Sequence, residues 1–73
     1  MDIDQFKTTS QWYRKMKAEG FEIPLALYHA LIKLTKDKHI SFQDAYHELE
    51  AEGRIKVINK TINFNLNEEK RPK

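Results

Sequence analysis

The 73-residue chain has no cysteine, two glycines, two prolines and a single tryptophan. Without thiols, neither disulfides nor cysteine-based zinc sites can reinforce a small core. Two glycines, Gly20 and Gly53, cannot supply a phosphate-cradling loop, and each stands where a helix is expected to stop. No apolar run approaches the roughly 20 residues that cross a bilayer. The start, MDIDQFKTTS, has neither the basic end nor the apolar centre of a secretory signal. A soluble, cytoplasmic chain with no membrane partner is the expectation. A strong net charge is missing too, because thirteen Lys/Arg against eleven Asp/Glu leave +2.

What is present points to one small globular domain. Apolar residues make up 40% of the chain, well above the disordered range. A core of this size rarely gives more than about 3–5 kcal/mol of net stability, so self-association into a homodimer is an expected way of adding to it. The mild total charge conceals an uneven distribution. Residues 39–53 hold Asp44, Glu48, Glu50 and Glu52 with no lysine or arginine, whereas residues 54–73 hold six basic residues against Glu68 and Glu69.

Residues 1–9 read as an arm or a short helical turn, with Ile3 and Phe6 as its apolar positions. Thr9 or Ser10 caps a first helix that runs to about Glu19, and Gly20 stops it. Trp12, Tyr13 and Met16 share one face at helical spacing. Phe21 lies one residue past the glycine, placed to fold back on the last turn. A second helix begins at Pro24 and runs to about Asp37. Its apolar residues, from Leu25 to Leu34, cover most of its circumference, as suits a helix packed on more than one side. Ser41, with Asp44 three residues later, caps a third helix that buries Phe42, Ala45, Tyr46 and Leu49 and ends at Gly53. From Arg54 to Leu66 the pattern alternates. With Asn59-Lys60 as the turn, Val57 faces Ile62 and Ile55 faces Phe64 on one side, while Lys56 faces Asn63 and Arg54 faces Asn65 on the other. Only Ile58, opposite Thr61, breaks the alternation. The fold class is therefore α+β: three helices followed by a two-stranded hairpin over residues 10–66, with 67–73 as a disordered basic tail.

The segments LALYHALIKL, SFQDAYHELEAEGRI and IKVINKTINF, in that order, resemble the winged helix-turn-helix superfamily. The run Leu49-Glu50-Ala51-Glu52-Gly53-Arg54-Ile55 resembles the end of a recognition helix entering its wing. One departure is the long second helix, which reaches the third through KDKHI. The resemblance implies binding to double-stranded DNA, with the third helix in the major groove and the hairpin on the flanking backbone. It implies Gln43 and His47, near the start of that helix, as base readers, with Arg54, Lys56, Lys60, Asn63 and Asn65 as wing contacts. Lys70, Arg71 and Lys73 add a mobile electrostatic contact. The glutamates of the third helix oppose simple groove reading, since a carboxylate near a phosphate costs on the order of 1 kcal/mol even in a water-like dielectric.

Other chemistry finds little footing. His29, His39 and His47 lack the spacing of a converging metal site. Ser10 and Ser41 read as caps rather than nucleophiles, and the carboxylates lie on a helix surface where nothing raises a pKa. No enzyme, cofactor or metal is expected. Two functional readings remain. One is a compact DNA-binding protein regulating transcription or another DNA transaction, of a size that suits a prophage, plasmid or other accessory gene. The other is a protein-interaction module, with the acidic third helix (Glu48, Glu50) or the adjacent aromatics Trp12 and Tyr13 meeting a protein partner. A further basic patch, Arg14, Lys15 and Lys17 with Lys33 and Lys36, depends on how the first two helices pack.

Overall fold

In the computed structural model, which describes residues 3–65, the chain forms a 3-10 turn, three helices and a hairpin in that order. The turn spans Ile3–Gln5; α1 is Thr9–Ala18, α2 Leu25–Lys38 and α3 Phe42–Ala51; β1 is Ile55–Ile58 and β2 Thr61–Phe64. This is the α+β layout expected from the residue pattern. The basic tail lies outside the described residues.

Local chemistry explains each helix end. The cap of α1 is Thr8, one residue before the expected position: its hydroxyl accepts from the Gln11 N–H at 3.0 Å, and the Gln11 side chain accepts from the Lys7 N–H at 2.8 Å. Thr8-x-x-Gln11 has capping-box spacing, with the return bond made to Lys7 instead of Thr8, so the signal was present in the sequence. Ser10 instead approaches the Tyr28 hydroxyl at 3.1 Å. Past the end of α1, the Gly20 N–H donates to the Lys17 carbonyl and the Phe21 N–H to the Met16 carbonyl, both at 3.0 Å. That pair of bonds is a Schellman closure, with Gly20 at a φ of 93°. α2 starts one residue later than expected, with Pro24 as an extended N-cap. It ends at His39, which adopts the left-handed region (φ 55°, ψ 45°) that glycine usually occupies. Ser41 caps α3 by accepting from the Asp44 N–H at 3.1 Å.

The core lies where the three helices and the 3-10 turn meet one face of the hairpin. Trp12, Leu27, Leu31, Phe42, Ala45, Tyr46, Leu49 and Ile62 are almost wholly buried. Trp12 sits centrally, its ring 5.5 Å from Phe42 and 5.7 Å from Tyr46 between centroids. Helix α2 touches both α1 and α3. Its apolar surface is wider than its buried face, however, for Leu25 in the first turn is 60% exposed. Ile3 and Phe6 join the core as well, so the first residues are an integral layer rather than a loose arm.

The hairpin has the expected register: Ile55 pairs with Phe64, Lys56 with Asn63, Val57 with Ile62 and Ile58 with Thr61. Asn59 makes the turn at a φ of 56°. Between α1 and α2, Glu22 bridges in parallel to Thr61; its N–H donates to the Lys60 carbonyl at 2.8 Å, and its carbonyl accepts from the Ile62 N–H at 2.9 Å. One expectation fails at the far end of β1. Val57, placed on the oily underside by pairing, is 43% exposed: the segment around Glu22 and the core pack against β2, and of the paired apolar residues only Ile55, Ile62 and part of Phe64 are covered.

Candidate functional site

Of the residues expected to meet nucleic acid, Lys70, Arg71 and Lys73 lie outside the described residues, and the other seven fall into two groups. Gln43 and His47 project from α3 towards the N-terminal turn. The Gln43 side-chain amide donates to the Asp4 carbonyl at 2.9 Å and to the Phe6 carbonyl at 2.7 Å, which uses both of its N–H groups. The His47 ring lies 3.1 Å from an Asp4 carboxylate oxygen through Nε2 and 3.4 Å from Glu50 through Nδ1. The hydrogen bond with Asp4, reinforced by Glu50, raises the His47 pKa above its ordinary value. The start of α3 is thus occupied by the chain's own first residues, and base reading by Gln43 and His47 would have to break those contacts.

The hairpin residues are differently placed. Arg54 is 23% exposed at its side chain; Nε donates to the Asn65 carbonyl at 3.0 Å, Nη1 lies 3.4 Å from Glu52, and the guanidinium stands 5.2 Å over the Phe64 ring. Lys60 reaches back to donate to the Glu19 carbonyl at 2.7 Å and stands 5.5 Å over the Phe21 ring. A cation at the carbonyl end of α1 complements the helix dipole, so Lys60 ties the hairpin tip to that helix. Lys56 and Asn63, cross-strand partners, are exposed and carry no such ties among the described residues. Together with Gly53, Arg54, Phe64 and Asn65 they line a shallow concavity on the outer face of the hairpin. The stretch 54–65 holds three basic residues and not one carboxylate.

The acidic helix is less bare than its sequence suggests. Glu48 accepts from Lys38, whose pKa is raised by that hydrogen bond and by the Glu48 charge; Glu50 pairs with His47 and Glu52 with Arg54. Glu48 and Glu50 therefore meet partners within the chain. Trp12, expected as a possible protein anchor, is fully buried with an indole N–H that has no acceptor among the described residues, which corrects that expectation. Tyr13 stays half-buried, its ring 4.8 Å from that of Tyr28. The basic patch on α1 and α2 is interrupted by acids, as Lys15 pairs with Glu19 and Lys33 with Asp37. Residue-pattern reasoning missed the inward ties of Gln43, Arg54 and Lys60. Nothing local signals those of Gln43 and Lys60, which join segments that meet only in the folded chain, whereas Arg54 meets Glu52 two residues away and Asn65, the partner that the hairpin register assigns it.

Among the described residues no group of His, Asp and Glu converges as a metal site, and no helix is long and apolar enough to cross a membrane. No protein-family model, curated protein or solved structure matches this chain.

Proposed function

We propose that this chain is a nucleic-acid-binding protein of winged-helix type that contacts double-stranded DNA with its hairpin rather than with its third helix. The observation that supports this reading is the outer face of the hairpin, where Lys56 and Asn63 stand exposed as cross-strand partners and Arg54, held by Glu52 and the Asn65 carbonyl, lies beside them. Amide and cationic side chains on an exposed ribbon suit phosphate and sugar oxygens. The start of α3, covered by the N-terminal turn, and its paired glutamates suit the groove poorly. A contact of this kind positions more than it specifies, so the expected binding is weak in sequence preference and regulatory or accessory in role.

The test is fluorescence anisotropy of a labelled duplex at several salt concentrations. Two or three phosphate contacts give a log–log salt slope of about −2 to −3 and a dissociation constant of roughly 1–100 µM at physiological salt. Lys56→Ala should reduce the slope by about 1 and weaken binding to all sequences alike. Absence of binding at about 100 µM protein and low salt, or a slope indifferent to Lys56, overturns the proposal.

A further inference from the structure

The two edges of the hairpin are treated differently by the fold. The Asn65 N–H donates to the Arg54 carbonyl at 2.8 Å, which marks that pair as hydrogen-bonded. Alternation along an antiparallel ladder then makes Lys56–Asn63 and Ile58–Thr61 the other hydrogen-bonded pairs. The backbone groups of Ile55 and Val57 consequently point away from β2. On β2 the corresponding outward edge is occupied at Ile62, whose N–H meets the Glu22 carbonyl at 2.9 Å. On β1 no strand covers the outward edge among the described residues. The same strand carries two of the three large exposed apolar side chains among the described residues, Val57 at 43% and Ile58 at 57%. An open, apolar edge with a single lysine is a template for another strand.

We propose that β1 is the seam of a symmetric dimer, pairing antiparallel with β1 of a second copy about Val57. The register follows from backbone parity and charge. Within β1 only Ile55 and Val57 offer outward hydrogen-bonding groups, so a two-fold pairing can centre on Lys56, joining each Ile55 to the other copy's Val57, or on Val57, joining the two Val57 residues and setting Ile55 against Asn59 of the turn. Centring on Ile55 would set Val57 against Gly53, outside the strand. Centring on Lys56 sets two ammonium groups directly opposite each other at the close, non-hydrogen-bonded spacing, which is repulsive. Centring on Val57 places Val57 against the partner's Val57 on the helix side of the sheet. On the other side, each Ile58 then lies beside the aliphatic stem of the partner's Lys56, with the ammonium free to reach water. Both exposed apolar residues are covered and the two lysines are kept apart. That self-complementarity is why the occupant is a second copy rather than an unrelated peptide. The seam is small, so the dimer is a weak one, with a dissociation constant of roughly 10–1000 µM. The inference stands independently of DNA binding, although a four-stranded sheet would bring both Lys56 side chains onto one face.

Sedimentation equilibrium of the full chain without DNA, between about 10 µM and 1 mM, should show a reversible monomer–dimer equilibrium. Val57→Lys should raise the dissociation constant by about 10-fold or more while leaving the circular dichroism spectrum unchanged, since Val57 is exposed. The chain has no cysteine, so single substitutions report the register. Under mild oxidation Val57→Cys should cross-link at least about 10-fold faster than Ile58→Cys, because directly opposed residues lie about 5.5 Å apart between Cα atoms and diagonal ones about 7–8 Å, and both variants keep Lys56. A monomer at the highest concentration overturns the proposal, including one that binds a strand from another protein through β1. A dimer in which Val57→Cys cross-links no faster than Ile58→Cys overturns the register.

Discussion

Replacing Phe6 with alanine asks whether the first residues are an arm or part of the core. Phe6 is 4% exposed and Ile3 5%, and both belong to the apolar core cluster. Truncating a fully buried phenylalanine costs about 3–5 kcal/mol. A core of this size provides about 3–5 kcal/mol in total, so Phe6→Ala should be largely unfolded at 25 °C. Gln43→Ala gives a graded version of the same test. It removes two neutral hydrogen bonds that hold this segment to α3, together worth about 1–3 kcal/mol. Its melting temperature should fall by roughly 5–20 °C, with the fold retained. Urea titration followed by Trp12 fluorescence and by circular dichroism reads both variants, because the only indole is fully buried. A loss of less than about 1 kcal/mol in Phe6→Ala, at an unchanged denaturant slope, refutes a core role for this segment. Such a result would mean that the N-terminal turn contributes little to the fold and can leave α3 exposed.

Three further outcomes follow from single side chains. Burial, assisted by the Glu50 charge, pushes the Tyr46 phenol up to about 12. Its neutral form therefore stabilises the fold fully below about 10 and progressively less as pH rises towards 12, so Tyr46→Phe should show a shallower alkaline loss in unfolding titrations. The His47 pKa is raised by its hydrogen bond to Asp4 and by Glu50, so the stability gained from charged His47 is present below about 6.5 and disappears as pH climbs through the raised value. Denaturation midpoints of the wild type should decline across that window more than those of His47→Asn, and a ring-proton titration by NMR should place the midpoint above the ordinary one. His39→Gly should stabilise the domain by about 0.5–1 kcal/mol in thermal melts, since the left-handed backbone strains any side chain except glycine.

The order of elements and the hairpin pairing were legible in the residues themselves. Phe42, Ala45, Tyr46 and Leu49 recur at helical spacing, Gly20 and Gly53 stop helices, and Ile55, Val57, Ile62 and Phe64 fall on one side once Asn59-Lys60 turns. All of these are short-range effects: periodicity, caps, and a register set by a two-residue turn. Even the cap at Thr8 was written locally, with Gln11 three residues on. Tertiary structure alone decided which polar groups remain available to a partner. Gln43 reaches carbonyls 39 and 37 residues away, and Lys60 reaches one 41 residues away, so their roles depend on segments that only folding brings together. Burial was decided the same way. Pairing set Val57 on the helix side, but Glu22 and the core pack against β2, and that placement leaves Val57 exposed and the β1 edge open among the described residues.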